Sequence, residues 1–191
     1  MENIKEEDVL VGIDLGTSNI NIGIYLNNQI KFISYKNKLC FPSIISLDKE
    51  STRIIDNEDI YKNIEEYLAN VIYDFKLLVG LNYEELIKKE FYKNLIYEIS
   101  EINGVPKIKI KSNEKLLYFS VEEVYTLIFI QLIKSTENFI LNLGKKIKIK
   151  KVFITAPKFF SEQQKKVIET AALSAGIENP KIIDEPFAEI L

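Results

Sequence analysis

Residues 10–22 read Leu-Val-Gly-Ile-Asp-Leu-Gly-Thr-Ser-Asn-Ile-Asn-Ile and predict a buried strand, a tight turn and a second strand. Gly16 allows φ values that other residues avoid and lets backbone N–H groups approach an anion without an intervening Cβ. Thr17 and Ser18 add hydroxyl donors, and Asp14 offers carboxylate oxygens to a hydrated Mg²⁺. A β-hairpin with ordinary turn residues remains the alternative, and this stretch alone favours neither interpretation.

The composition is that of a globular domain without a membrane or nucleic-acid partner. The 191 residues are 47% hydrophobic and 28% charged, and no apolar run reaches the length of a membrane span. The acidic N-terminus lacks the apolar core of a signal sequence, so we expect a cytoplasmic protein. A net charge of −3 argues against a nucleic-acid footprint, and the lysine-rich run 145–151 is typical of a solvated loop.

Histidine is absent, which excludes several kinds of chemistry. Serine–histidine triads, cysteine–histidine dyads and histidine-bound zinc are impossible in this chain. The single cysteine, Cys40, excludes an internal disulfide and lies among apolar residues. Any catalysis therefore depends on carboxylates, lysines, hydroxyls, the backbone and a bound metal.

The first 80 residues predict antiparallel strands followed by a helix. The alternation of apolar and polar residues, with an Asn27-Asn28 turn, predicts strands over 9–14, 20–26 and 29–35. A short strand over 43–47 precedes a polar stretch, 48–57. A helix over 60–78, ended by Gly80, is predicted from apolar residues at three- and four-residue steps, namely Ile60, Ile64, Tyr67, Leu68, Val71, Ile72, Phe75 and Leu78.

The remaining sequence predicts a small α+β block and then a strand–helix–strand unit. Asn82 begins a short helix, and turn residues separate strands over 97–102, 105–110 and 115–119. Capping boxes at Ser120 and Ser161 begin two helices that end at Gly144 and Gly176. The second helix connects strands 152–155 and 181–184 as a right-handed crossover. We therefore expect a mixed sheet of three antiparallel and two parallel strands.

Five segments, in order, resemble the ATPase domain of the Hsp70 chaperones. They are Gly12-Ile13-Asp14-Leu15-Gly16-Thr17-Ser18-Asn19, Phe41-Pro42-Ser43-Ile44-Ile45, Phe75-Lys76-Leu77-Leu78-Val79-Gly80, the stretch 151–161 with Thr155-Ala156-Pro157, and the pair Ala175-Gly176-Ile177 and Ile182-Ile183-Asp184-Glu185-Pro186-Phe187-Ala188. The phosphate loop alone also occurs in actins and sugar kinases. Agreement of five segments in the same order is far more specific to the Hsp70 family than the phosphate loop alone.

The resemblance implies an α/β fold, the RNase H-like mixed sheet of the actin and Hsp70 superfamily, with a small α+β insertion. Residues 1–47 and 118–191 would form ATPase subdomain IA, and residues 48–117 the inserted subdomain IB. The second ATPase lobe and the peptide-binding domain would lie outside these 191 residues. Because the family clamps its nucleotide between two lobes, we expect this chain alone to bind ATP weakly and to lack activity.

The family's site residues carry over by position. By resemblance, Asp14 orients Mg²⁺ through water, while Gly16, Thr17 and Ser18 contact the phosphates of ATP. Lys76 and Glu185, with Asp14, would serve catalysis: Lys76 matches the lysine that positions the attacking water, and Glu185 matches a glutamate near the metal. The family's ATP hydrolysis is assisted by Mg²⁺ and K⁺.

Two further positions match the family's allosteric relay. Pro157 matches its proline and Lys165 replaces its arginine, which loses bidentate geometry. Lys158 and Phe159 also depart from the family pattern. The resemblance implies unfolded polypeptide clients, J-domain proteins and nucleotide-exchange factors as partners of the complete protein. A divergent, non-catalytic interaction module remains the alternative.

Overall fold

The computed structural model describes residues 7–47, 52–55, 59, 70–112, 115–144 and 147–185. Their elements follow in chain order. The strands are β1 (Glu7–Leu15), β2 (Asn19–Leu26), β3 (Gln29–Phe32), β4 (Phe41–Pro42), β5 (Ile45–Leu47), β6 (Thr52–Ile54), β7 (Val71–Ile72), β8 (Glu98–Ile102), β9 (Val105–Ser112), β10 (Lys115–Phe119), β11 (Ile147–Ala156) and β12 (Pro180–Asp184). The α-helices are α1 (Tyr83–Leu86), α2 (Val121–Asn142) and α3 (Glu162–Ser174), and 3₁₀ helices cover Phe75–Leu78 and Glu90–Asn94.

The largest sheet is mixed, as the sequence predicts. Its strand order is β12-β11-β1-β2-β3, and β4 pairs with β2. The pairs β1–β11 and β11–β12 are parallel, whereas β1–β2 and β2–β3 are antiparallel. Asn27 and Asn28 turn the β2–β3 hairpin with φ of 52° and 61°, the left-handed values that two-residue hairpin turns need.

Strand β1 buries one face and leaves the other accessible. Val9, Val11, Ile13 and Leu15 lie in the core together with residues of α2 and α3, because side chains alternate between the two faces of a strand. Gly12 and Asp14 point to the opposite, exposed face. That face forms an open, largely apolar groove of about 400 Å³ with Asp14 among its lining residues.

The three predicted helix starts are confirmed. At α2, the Ser120 hydroxyl accepts from the Glu123 N–H and the Glu123 carboxylate accepts from the Ser120 N–H. The same reciprocal capping occurs between Ser161 and Gln164 at α3, and between Asn82 and Glu85 at α1. These interactions satisfy N–H groups that have no partner within the helix.

The predicted helix over 60–78 is wrong where the structure describes it. Residues 60–69 lie outside the described part of the chain. Val71 and Ile72 form β7 and pair with β5, a geometry that suits their β-branched side chains. Asp74 has a φ of 52°, which interrupts any right-handed helix, and Phe75–Leu78 forms only a 3₁₀ turn.

Two small antiparallel sheets occupy the middle of the chain, with strand orders β6-β5-β7 and β10-β9-β8. Asn103 and Gly104 form the predicted β8–β9 turn with positive φ values of 54° and 77°. Asn113, in the other predicted turn, lies outside the described residues. Ile108 and Ile110 of β9 are buried and join the same hydrophobic core as the large sheet.

Candidate functional site

Asp14 lies near the carboxyl end of β1, beside the end of the parallel strand β11. Thr155 of β11 donates its hydroxyl to Asp14 Oδ1 at 2.7 Å and accepts from the Leu15 N–H at 3.1 Å. Asn21 donates to Asp14 Oδ2 at 3.2 Å. Each carboxylate oxygen therefore has a hydrogen-bond donor that fixes its direction, while the side chain remains exposed.

The turn after Asp14 requires glycine for a steric reason. A Cβ on Gly16 would lie 2.4 Å from the Asn19 carbonyl oxygen. Gly16 does not have a positive φ, so close approach of the backbone, and not the expected left-handed conformation, explains the residue. The Ser43 N–H donates to the Ser18 carbonyl at 2.9 Å and ties the turn to the chain after β4. Within the described residues, the hydroxyls of Thr17 and Ser18 have no hydrogen-bond partner.

Lys76 reaches this region from the 3₁₀ helix Phe75–Leu78. Its ammonium donates to the Leu15 carbonyl and forms an ion pair with Glu185 Oε1 at 2.6 Å. The Lys76 side chain is 9% exposed and that of Glu185 is 35% exposed. Since a buried ammonium without a partner is strongly unfavourable, Glu185 and the carbonyl are what allow a lysine here.

Glu185 immediately follows β12. Its N–H donates to the Ala156 carbonyl at 2.7 Å, which extends the β11–β12 pairing by one hydrogen bond. The parallel strands β1, β11 and β12 thus end together and present Asp14, Thr155 and Glu185 at one edge. Pro186, the next residue of the matched segment, lies outside the described residues.

Pro157 and Lys165 occupy neighbouring elements. Pro157 is buried at the end of β11, and its carbonyl accepts from the Phe160 N–H at 2.9 Å. Lys165 on α3 forms an ion pair with Asp184 at 2.7 Å and lies 3.6 Å from Glu162. The hydrogen bond to Asp184 is the main reason that the pKa of Lys165 is raised. Lys165 therefore contacts Asp184, the residue before Glu185. Pro157 directly follows β11, the strand that pairs with β12.

Three participants were not predicted as site residues. Thr155 could have been predicted from the parallel pairing of β1 with β11. Ile13 pairs with Ile154, so the next residues along each strand, Asp14 and Thr155, lie side by side. Gln164 donates to the Val79 carbonyl at 2.8 Å, and its side chain packs where a Cβ of Gly80 would be. Tyr125 of α2 is buried beneath Phe75, and no sequence signal indicates it.

The acidic groups suit a hydrated hard cation better than a fully protein-coordinated one. Among the described residues, no three His, Cys, Asp or Glu side chains are close enough to hold a metal ion together. Mg²⁺ usually keeps several waters and binds through one or two carboxylates. Asp14, exposed and fixed by two donors, fits that mode of binding.

The mixed sheet, with its polar groups at the ends of adjacent strands, defines a domain of the actin-like ATPase fold. The sequence model of the family described as Hsp70 protein matches residues 10–191, and the chain belongs to that family. Membership supports an ATPase-domain role in a chaperone, a nucleotide ligand, and client and co-chaperone partners in general terms. In the described part of the chain, no helix combines the length and the apolar character of a membrane span.

Proposed function

We propose that this chain is the lobe of an Hsp70-type ATPase that binds the phosphates and Mg²⁺ of ATP for hydrolysis coupled to protein folding. The observation that supports this proposal most strongly is that Asp14, Lys76 and Glu185 lie together at the turn after β1. Residues 1–47 and 118–191 would form subdomain IA around this site, with residues 48–117 inserted as subdomain IB.

The turn supplies the proposed phosphate contacts. Gly16 has no Cβ to stand between the turn and an anion, and the hydroxyls of Thr17 and Ser18 are without partners among the described residues. Oriented N–H and hydroxyl donors around such a turn suit a phosphate anion. The hydrogen bond from Ser43 to Ser18 keeps the turn in one shape before a ligand arrives.

Asp14 would hold Mg²⁺ through its water shell. Bound Mg²⁺ neutralises negative charge on phosphate oxygens. Thr155 and Asn21 orient the Asp14 carboxylate, since both donate hydrogen bonds to it. K⁺ is a further cofactor proposed from the family, but no described contact supports it specifically.

Lys76 and Glu185 would act together near the γ-phosphate. The ammonium of Lys76 is held by the Leu15 carbonyl on one side and by Glu185 on the other. A fixed cation of this kind stabilises negative charge that develops during phosphoryl transfer. Glu185 would orient the attacking water by accepting its hydrogen bond.

The catalytic lobe would communicate with polypeptide clients and co-chaperones through Pro157 and Lys165. The ion pair of Lys165 with Asp184, the residue before Glu185, supports this proposal. The alternative, a divergent non-catalytic interaction module, is favoured by Phe159, whose side chain is 84% exposed beside Pro157.

Calorimetric titration with Mg-ATP separates the two proposals. We expect a small heat from weak binding to the wild-type chain, and its loss in Asp14→Asn and Lys76→Met. Lys88→Ala removes an exposed lysine after α1 and is the control that should bind as the wild type does. Equal heats from Asp14→Asn and the wild type would contradict the ATPase site and favour the interaction module.

A further inference from the structure

The 3₁₀ helix that carries Lys76 is too short to hold its own position. It spans Phe75–Leu78, and the hydrogen bond at its end, from the Val79 N–H to the Lys76 carbonyl, is 3.4 Å long. A single turn of helix has little stability in water, so contacts with other elements must fix it. The direction of the Lys76 ammonium therefore depends on what binds the two ends of this helix.

The two ends of the 3₁₀ helix are held by different kinds of contact. At its start, the Phe75 ring packs edge-to-face on Tyr125 of α2, with centroids 5.1 Å apart. Tyr125 contributes its ring alone to this contact, because its hydroxyl has no hydrogen-bond partner among the described residues. Beyond the other end, the Val79 carbonyl accepts from the side-chain amide of Gln164 on α3 at 2.8 Å. A hydrogen bond is directional, so Gln164 restricts the end of the helix more narrowly than a ring contact does.

The side chain of Gln164 is itself fixed. Its Oε1 accepts from the Ser161 N–H at 2.9 Å in the capping box of α3. Because the amide group is planar, this contact directs the NH₂ group towards Val79. Gly80 leaves room for the arrangement, since a Cβ there would lie 2.5 Å from Gln164 Cγ. A glutamate would cap the helix equally well but could not donate, so capping alone does not account for a glutamine here.

The next residue of α3 holds the other member of the ion pair. Lys165 binds Asp184 Oδ1 at 2.7 Å, and Asp184 directly precedes Glu185. Gln164 binds the segment that carries Lys76. Consecutive residues near the start of α3 thus contact the two segments whose side chains form the Lys76–Glu185 pair.

We propose that Gln164 is a positioning residue for Lys76. Its hydrogen bond to Val79 holds the 3₁₀ helix where the ammonium reaches both the Leu15 carbonyl and Glu185. Loss of this bond lets the end of the helix move, and the ammonium then loses its fixed direction. The consequence for ATP binding and hydrolysis rests on the proposed function, whereas the position of Lys76 does not.

Gln164→Glu separates the positioning role from helix capping. The carboxylate still accepts from the Ser161 N–H, but it cannot donate to the Val79 carbonyl. Gln163→Glu is the matched control, since it adds the same charge at the neighbouring, exposed position. Gln164→Met removes the donor without adding a charge, and it replaces Gln164→Glu if that variant does not fold. Ser161→Ala weakens the cap but leaves both side-chain hydrogen bonds of Gln164, because Ser161 donates through its backbone.

The ¹³Cε NMR signal of Lys76, measured without nucleotide, reports the surroundings of the ammonium. Its loss in Lys76→Met assigns it. The Lys76 side chain is 9% exposed and ion-paired, so its signal should lie apart from those of exposed lysines. We expect the signal to move towards theirs in Gln164→Glu and Gln164→Met, and to stay in place in Gln163→Glu.

Ser161→Ala shows whether lost stability alone moves the Lys76 signal. This variant should lower the melting temperature, because it removes the capping hydroxyl, and should leave the Lys76 signal at its wild-type position. A Lys76 signal that stays in place in both Gln164 variants, or that Ser161→Ala moves equally far, overturns the inference.

Titration with Mg-ATP distinguishes failure of this inference from failure of the proposed function. The Gly16 amide signal should respond in the wild type and respond less in Gln164→Glu. If the wild-type Gly16 amide does not respond, the proposed function fails, and the nucleotide-free comparison of Lys76 signals still decides the role of Gln164. An equal Gly16 response in the two proteins, with the Lys76 signal unmoved, overturns the inference and leaves the proposed function in place.

Discussion

Lys76 and Glu185, 109 residues apart in the sequence, form an ion pair of 2.6 Å that joins the 3₁₀ helix to the end of β12. Lys76 also binds the carbonyl of Leu15, at the end of β1. One ammonium thus connects the 3₁₀ helix to the ends of two strands of the large sheet. Its position fixes the geometry on which the proposed phosphate site depends.

The two partners of this pair should differ in their effect on stability. Glu185→Ala leaves a buried ammonium with only one partner, so we expect a loss of about 2–4 kcal/mol in the free energy of unfolding. Lys76→Met leaves the Glu185 carboxylate without its partner, but water reaches that carboxylate. The loss in the free energy of unfolding should therefore be smaller than for Glu185→Ala. Urea denaturation measures the loss for both variants, with Lys165→Met as a control from a solvent-exposed pair that should change the free energy of unfolding little. Equal losses from Glu185→Ala and Lys165→Met would contradict the role of the pair.

Gly16 and Gly12 provide a matched test of the turn. A Cβ at Gly16 would lie 2.4 Å from the Asn19 carbonyl, whereas one at Gly12 would meet its nearest atom, the Gly23 carbonyl oxygen, at 3.9 Å. Gly16→Ala should therefore destabilise the chain by about 1–3 kcal/mol, and Gly12→Ala should have little effect. Thermal unfolding of the two variants measures the difference. A Gly16→Ala variant as stable as Gly12→Ala would show that the turn is not tightly closed.

Glu123 should make α2 sensitive to acid. Burial acts to raise the pKa of this carboxyl, but hydrogen bonds from Ser120 and the ion pair with Lys107 outweigh it and leave the pKa lowered from 4.5. A lowered pKa in the folded state means that the group stabilises the fold above pH 4.5 and that this contribution is lost as the pH falls through the folded value.

Urea denaturation of the wild type and Glu123→Gln at a series of pH values checks this dependence. The wild type should lose more stability than the variant below pH 4.5, and the two curves should run parallel above it. Glu84→Gln is the control, since Glu84 lies in the first turn of α1 outside its capping box. Parallel curves across the whole range would contradict the contribution of Glu123.

Much of the fold follows from local sequence. The apolar run before Asp14, the Asn27-Asn28 turn and the capping boxes at Ser120 and Ser161 each predict an element that the structure contains. These signals are local because alternation, turn conformation and capping involve residues a few positions apart. Asp14 and Gly16 could be predicted as candidate site residues for the same reason, because the signal comes from the few residues around them.

The remaining features depend on contacts between distant segments. Thr155 binds Asp14 across 141 residues, and only the register of two parallel strands brings them together. Apolar spacing around Val71 and Phe75 matches a helix, yet pairing with β5 and the left-handed Asp74 prevent one. The unsatisfied hydroxyl of Tyr125 depends on the packing of α2 and is not detectable from sequence.

The most direct test of the proposed phosphate site is a ¹⁵N NMR titration of the chain with Mg-ATP. We predict that the amide signals of Gly16, Thr17 and Ser18 shift with a common saturation curve, and that Lys76→Met greatly weakens the response. Amides of the β9–β10 hairpin, which contributes no residue to the proposed site, serve as the internal reference. Unchanged signals at Gly16, Thr17 and Ser18, or equal shifts in the wild type and Lys76→Met, would contradict a nucleotide-phosphate site at this turn.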